Sequence, residues 1–309
     1  MKKSYLSQPF CGIIPPLVTP LQDNDTLDIE GLERLIEHVI DGGVNGIFIL
    51  GTTGEFACLS YKLRKELIKL TCQLVKGRLP VFVGITDSAF TESHNLAKVA
   101  ADCGADAVVL SPPYYYASGQ PELLEYLKRI MVHMPLPLFL YNMPLHTKVV
   151  FAPSTVKAAA EIPGIVGIKD SSANFAYLKQ VQYALKDRPD FTFFVGPEEF
   201  MSEFVLTGGH GGVNGGANMF PKLYVDLYNA SVNRDFKKIM VLQQKVMQIS
   251  SSIYNVGHYG SSYLKGLKCA LSVMGFCNDY MAEPFHRYKQ AERDKIEQML
   301  EELNYRDLI

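Results

Sequence analysis

From residue 28 to residue 41, apolar residues recur at Ile29, Leu32, Leu35, Ile36, Val39 and Ile40, and Gly42-Gly43 closes the run. That spacing predicts an amphipathic helix with a glycine stop. Residues 60–76 repeat the pattern with Leu63, Leu67, Leu70 and Leu74 on one face, ending at Gly77. Between them lies the short apolar run 46–50, which leads straight into Gly51-Thr52-Thr53-Gly54-Glu55. The alternation continues. Apolar runs at 12–20, 81–84, 107–110, 138–141, 165–170 and 191–195, and a weaker Gly-rich one at 211–214, read as buried parallel strands. Helical stripes at about 91–103, 122–133, 154–161, 174–185 and 223–232 separate them, with a short helix after Glu198-Glu199.

Strand starts recur roughly every 20 to 35 residues, each followed by a helix. Eight such units without a GxGxxG at the first turn predict an α/β fold of the (β/α)8 barrel (TIM-barrel) type rather than a doubly wound sheet. Beyond residue 235 only helical stripes remain, at about 236–249, 259–273 and 289–303. Residues 1–234 are therefore expected to form the barrel, after a loose lead-in over 1–11, and residues 235–309 a helical extension packed on it. No linker rich in Pro, Gly or Ser separates the two.

Composition narrows the function. The 309 residues are 48% hydrophobic, enough for one large core, and α/β barrels of this length form one domain. Thirty basic and 32 acidic residues give a formal charge of −2 with no dense basic run, which argues against a nucleic-acid partner. No apolar stretch approaches membrane-spanning length, and Met1-Lys2-Lys3-Ser4-Tyr5 lacks an apolar signal core. Six cysteines are scattered without a Cys-x-x-Cys pair, as expected of reduced thiols in a cytoplasmic protein. No His, Asp and Glu cluster at metal spacing appears, so no catalytic metal is expected.

The chemistry concentrates at strand ends. In such a barrel the carboxyl ends of the strands make one face, and function sits there. Ile165-Val166-Gly167-Ile168-Lys169-Asp170 is an apolar run that ends abruptly in a lysine. Partial desolvation disfavours an ammonium and makes the amine a usable nucleophile. Lys169 is the candidate for an imine with a keto acid. The Gly51 to Glu55 turn offers converging amides and two hydroxyls, a cradle for a carboxylate. Tyr141 ends a strand and is placed to move a proton. Tyr114-Tyr115-Tyr116 is an aromatic patch for packing or subunit contact. Glu198, Glu199 and Asn214 belong to the same face, and His146 and His210 sit in loops there.

Taken together, Pro16-Leu17-Val18-Thr19-Pro20, Gly51 to Glu55, Pro113-Tyr114-Tyr115, Tyr141-Asn142-Met143-Pro144, Gly167-Ile168-Lys169-Asp170 and Gly208-Gly209-His210-Gly211 resemble the dihydrodipicolinate synthase / N-acetylneuraminate lyase family. The resemblance covers nearly the whole chain from about residue 12. It implies a (β/α)8 barrel, pyruvate chemistry through a lysine imine with no separate cofactor, and a homotetramer built from tight dimers. By position, Lys169 matches the imine-forming lysine and Tyr141 the proton-shuttling tyrosine. Thr52 and Thr53 match the pair beside the pyruvyl carboxylate. Tyr115 matches a tyrosine that synthases lend to a neighbouring subunit, and Val213 a residue whose carbonyl lines the pocket.

Two positions depart from the pattern. The synthase branch has arginine where this chain has His146, and a histidine does not reproduce a bidentate grip on an aldehyde's carboxylate. The lyase branch has paired acids after the seventh strand, where Glu198-Glu199 falls, but also a hydroxyl residue near Gly215, where this chain has none. The expected function is an imine-forming (class I) aldolase cleaving a 2-keto-3-deoxy sugar acid to pyruvate and an aldehyde, with Glu198 and Glu199 accepting from the sugar hydroxyls. The alternatives are N-acetylneuraminate cleavage, dihydrodipicolinate synthesis, dehydration of a keto-deoxy acid, and, in another class, a silent barrel that binds keto acids.

Overall fold

A computed structural model describes residues 9–309; the lead-in over residues 1–8 lies outside the described residues. The eight predicted strands are present: β1 (Gly12–Ile13), β2 (Ile47–Ile49), β3 (Val81–Gly84), β4 (Ala107–Leu110), β5 (Leu138–Asn142), β6 (Ile165–Asp170), β7 (Thr192–Val195) and β8 (Gly211–Gly212). They pair in parallel in the order β1-β8-β7-β6-β5-β4-β3-β2. A parallel bridge between Pro16 and Phe48 closes the ring, with the Leu17 amide donating to the Phe48 carbonyl at 2.8 Å. This is a (β/α)8 barrel.

The Pro-rich exit of β1 is shorter as a strand than the apolar run suggests. Pro15 and Pro16 lack amides, so only part of the segment can join a ladder. The segment is pinned otherwise: Asn218 Nδ2 donates to the Pro16 carbonyl at 2.9 Å, and Thr19 Oγ1 donates to the Gly54 carbonyl at 2.8 Å. A small antiparallel hairpin, Leu21–Asp23 with Thr26–Leu27, follows, turning where Asp23 Oδ1 accepts the Asp25 amide.

The outer helices are α1 (Ile29–Asp41), α2 (Tyr61–Val75), α3 (Phe90–Cys103), α4 (Gln120–Met131), α5 (Pro153–Ala160), α6 (Phe175–Ala184), α7 (Met201–Leu206) and α8 (Pro221–Val232). Side-chain caps fix several starts: Asp28 accepts the Gly31 amide, Ser60 that of Leu63 and Asn174 that of Tyr177. A one-turn helix at Pro144–Thr147 follows β5. The C-terminal segment forms α9 (Phe236–Ser252), α10 (Ser262–Val273) and α11 (Gln290–Glu302).

Two apolar layers result. The larger lies between the barrel and its helices, and it takes in Val246, Leu267, Ile296 and Leu300 of the C-terminal helices. The smaller fills the barrel itself with Phe10, Ile14, Phe48, Phe82, Val109, Phe139, Phe194 and Val213. The rings form a chain, with centroids at 5.3 Å for Phe10–Phe82, 5.4 Å for Phe82–Phe139 and 5.9 Å for Phe139–Phe194. Phe10 corrects the expectation of a loose lead-in over 1–11. It is buried, and its amide donates to Thr192 Oγ1 at 2.9 Å, so the chain plugs the barrel before entering β1.

The plug predicts a measurable cost. Phe139→Ala should lower unfolding stability in denaturant by about 3–5 kcal/mol, because ring neighbours on two sides limit collapse. A loss below about 1 kcal/mol would show that the interior repacks freely.

Candidate active site

Side chains alternate along a strand, so within β6 Ile168 and Asp170 face the helices while Lys169 turns inward. Lys169 is paired in register with Tyr141 of β5, and Asp170 with Asn142. The Lys169 side chain is 6% exposed. Its Nζ lies 4.0 Å from the centre of the Tyr141 ring and 5.2 Å from that of Phe48. No carboxylate pairs with it among the described residues. A cavity of only about 10 Å³ separates it from the aromatic filling beneath, with Val213 and Phe194 on its wall.

Asp170 takes the other direction. Its carboxylate accepts from Asn142 Nδ2 at 2.7 Å and from the Ser172 hydroxyl at 2.8 Å. Burial raises its pKa above the ordinary carboxylate value, against the pull of the Asn142 and Ser172 hydrogen bonds. Asn142 Oδ1 in turn accepts the Phe151 amide, so the pair ties the two strand ends together beside Lys169 and Tyr141.

The Gly51 to Glu55 turn sits across the barrel mouth. Gly51 packs where a Cβ would strike the Phe48 ring. The amides of Gly54 and Phe56 donate to the Gly51 carbonyl and that of Glu55 to the Thr52 carbonyl. Among the described residues the Thr52 and Thr53 amides meet no carbonyl, so they remain available as donors. Thr52 Oγ1 lies 3.1 Å from Tyr141 Oη, and Thr53 Oγ1 lies 3.1 Å from Tyr263 Oη. Glu55 anchors the turn. It is buried in left-handed backbone conformation and pairs with Lys268 of α10, both side chains being 1% exposed. Its other oxygen accepts the Ala282 amide at 2.9 Å.

Above Tyr141 opens a pocket of about 280 Å³, lined among others by Thr52, Ser111, Tyr114, His146, Tyr263 and Phe285. No arginine or lysine lines it. His146 is exposed at its rim, and desolvation on its inner side, with the Lys148 charge, lowers its pKa below the ordinary imidazole value. Val213 is buried at the end of β8, donates its amide to the Val195 carbonyl at 2.8 Å, and keeps its own carbonyl free of amide partners among the described residues.

Three expectations change. Glu198 does not face the pocket. It is 4% exposed; Oε1 accepts from Tyr224 Oη at 2.5 Å and Tyr254 Oη at 2.9 Å, and Oε2 accepts the Gly216 amide at 3.0 Å. Buried, with both oxygens engaged and no place in the pocket lining, it is not positioned to meet a sugar hydroxyl. Glu199 is exposed, lines no part of the pocket, and offers its main-chain carbonyl to Gln243 at 2.9 Å. Tyr115 is 80% exposed, edge-on to Tyr116 at 5.1 Å, and does not line the pocket of its own chain, where Tyr114 stands instead. Sequence reasoning missed Ser111, Tyr263, Tyr254 and Lys268. Only the pairing of distant elements brings them in.

The comparisons follow from this geometry. Residues 9–303 match the family model described as the dihydrodipicolinate synthetase family. The chain belongs to that family. It is an enzyme of the pyruvate-dependent lyase kind. It is similar to a structure of dihydrodipicolinate synthase from Bacteroides thetaiotaomicron, at 63% identity and a TM-score of 0.94, over 96% of this chain and 100% of that one. It is also similar to YagE of Escherichia coli K12, a family member solved with pyruvate, at 28% identity and a TM-score of 0.91, over 96% and 99% of the two chains. A probable 2-dehydro-3-deoxy-D-pentonate aldolase of Escherichia coli, YjhH, is 31% identical over 294 residues, 94% of this chain and 96% of its own. Among the described residues no group of His, Cys, Asp and Glu is gathered to hold a metal ion, and no helix is long and apolar enough to cross a membrane.

The Glu198 environment gives a pH prediction. Burial pushes this carboxyl up to about 7 from 4.5, outweighing the hydrogen bonds from Gly216, Tyr224 and Tyr254. A raised carboxyl favours the folded state while protonated, so its contribution is present below about 4.5 and lost as pH climbs to about 7. In Glu198→Gln that falling component should vanish. Thermal unfolding of both proteins across this window should show the wild type losing ground to the variant as pH rises; parallel curves would refute the assignment.

Proposed function

We propose that the protein is an imine-forming aldolase that cleaves a 2-keto-3-deoxy sugar acid to pyruvate and an aldehyde. The observation that carries this reading is the unpaired Lys169 amine in register with Tyr141, whose side chain lines a pocket that holds no arginine or lysine. Lys169 Nζ attacks the C2 ketone, and loss of water leaves a protonated imine that draws electrons from the C3–C4 bond. Tyr141, hydrogen-bonded to Thr52, accepts the C4 hydroxyl proton as the bond breaks, releasing the aldehyde and leaving an enamine on Lys169. The proton returns to C3, and water hydrolyses the imine to free pyruvate. The covalent lysine serves in place of a cofactor.

The keto-acid carboxylate is assigned to Thr52 and Thr53 with the Gly51 turn beside them, and the Val213 carbonyl to the surroundings of Lys169. The neutral, hydroxylated aldehyde fragment is assigned to the wider pocket, where Ser111, Tyr114 and His146 offer partners. A site that hydrogen-bonds substrate hydroxyls rejects analogues lacking them. The second reading is dihydrodipicolinate synthesis, favoured by the 63% identity to a structure of that name. Against it stands the pocket lining, which offers no guanidinium or ammonium to the carboxylate of aspartate semialdehyde.

Pyruvate with borohydride should leave a stable adduct on Lys169, detected by peptide mass spectrometry and absent in Lys169→Ala. The same labelling in that variant would sink the lysine assignment. Steady-state pyruvate release over a panel of keto-deoxy sugar acids should exceed dihydrodipicolinate formation, and His146→Arg should raise the latter by on the order of tenfold. Efficient dihydrodipicolinate formation by the wild type would establish the second reading instead.

Tyr115 is assigned to the site of a second copy of the chain, within a homotetramer. Its exposed ring pair with Tyr116 is the supporting feature. A demonstrated monomer should then be nearly inactive, checked by turnover alongside sedimentation; full activity in the monomer would remove Tyr115 from the machinery.

A further inference from the structure

The hydroxyl near Gly215 that the lyase pattern requires is missing from the local sequence but not from the space around it. Gly215 and Gly216 follow β8, and each receives a tyrosine hydroxyl where a side chain would otherwise stand. A Cβ on Gly215 would overlap Tyr263 Oη, and one on Gly216 would overlap Tyr224 Oη. Tyr263 reaches this place from α10, far along the chain, and its hydroxyl lies 3.1 Å from Thr53 Oγ1. Its ring is braced edge-on by Tyr254 at 4.8 Å, and Tyr254 Oη is held by Glu198. Glu198 also accepts the Gly216 amide and the Tyr224 hydroxyl. One buried carboxyl thus fixes the glycine pair and the ring that supports Tyr263.

A threonine hydroxyl has one proton to give and two lone pairs to receive. Burial raises the Tyr263 pKa, as does the nearby Glu198 charge, so the phenol stays a donor at neutral pH. We propose that Tyr263 is a positioning residue for the keto-acid carboxylate: its phenol donates to Thr53 Oγ1, which leaves the Thr53 proton to point at that carboxylate. This role rests on the aldolase reading above. It matters because neither the pocket nor the small cavity at Lys169 has an arginine in its lining, and Lys169 itself is committed to the imine. A carboxylate there depends on oriented hydroxyls and on the Thr52 and Thr53 amides. Tyr141 is oriented by Thr52 in the same turn, so adjacent threonines serve the proton shuttle and the anion.

The test measures the pyruvate concentration that gives half-maximal borohydride trapping at Lys169. Tyr263→Phe should raise it on the order of tenfold, the loss of about one hydrogen bond to a charged group, with the melting temperature held. Thr53→Val should raise it similarly, and the double variant should be no worse than Thr53→Val alone. Gly215→Ala, which displaces the phenol, should weaken trapping in the wild type and change nothing further in Tyr263→Ala. An unchanged half-saturation in Tyr263→Phe overturns the role, as do additive effects of Tyr263→Phe and Thr53→Val. A wild type that traps no pyruvate at all overturns the imine reading itself, and this role with it.

Discussion

An unpaired amine on an aromatic floor is the constraint on which the rest of the site depends. Lys169 sits between the Tyr141 and Phe48 rings, and the nearest carboxylate in sequence, Asp170, is turned away by strand alternation. Ring faces hold a cation by roughly 0.5–2 kcal/mol. A buried carboxylate partner would tie the amine down, since separating the two would strand an uncompensated charge at a cost of about 3–5 kcal/mol. A lysine paired in that way would be a structural residue. The alternation from Ile168 to Asp170, with the Asn142–Asp170 bond, keeps the acid next in sequence on the helix side. The same alternation, read in β5, brings Tyr141 to the same face and in register. Lys169 and Tyr141 are therefore brought together by one property of paired strands.

The floor must be rigid for this to hold. Phe10, Phe82, Phe139 and Phe194 contact one another in turn, and Phe48 belongs to both the floor and the lysine's surroundings. The walls are fixed from another direction. Glu55 is tied to Lys268, Thr53 to Tyr263 and Glu198 to Tyr254, so three polar links join the barrel's loops to the C-terminal helices. Those helices share the main apolar core as well. They form the expected extension packed on the barrel, and through Tyr263 and Leu264 they also line the pocket.

The barrel was legible because its evidence is periodic. Leu63, Leu67, Leu70 and Leu74 declare a helix, and the run into Lys169 declares a strand, without knowledge of any partner. The lysine, Tyr141, Thr52 and Thr53 were legible for a related reason: each stands at a strand end, and a barrel gathers strand ends on one face. The failures share a cause. Glu198 occupies a strand end too, but its direction is decided by Tyr224 and Tyr254, which lie 26 and 56 residues away in sequence. Tyr263 and Lys268 sit in an ordinary helical stripe, and nothing local distinguishes them from core residues. Phe10 was lost in a segment too short to show a period.

The displaced acids bear on specificity. A solvent-facing Glu198 would offer two acceptors to a polyol. Buried, it instead holds the Tyr224 and Tyr254 hydroxyls and the Gly216 amide. Tyr254 braces Tyr263, Tyr263 meets Thr53, and the glycine pair has no side chain because tyrosine hydroxyls fill that volume. The polar groups of the site are therefore largely hydroxyls that can both give and receive. Such groups suit a carboxylate at the inner end and a hydroxylated, uncharged fragment at the outer end. They suit a second carboxylate poorly, because a hydroxyl carries no charge to offset the desolvation of an anion. The 63% identical Bacteroides structure carries the synthase name, yet family membership reaches only as far as a pyruvate-dependent lyase. The residues above Tyr141 include His146 and no guanidinium, a lining that suits an uncharged fragment better than an anion.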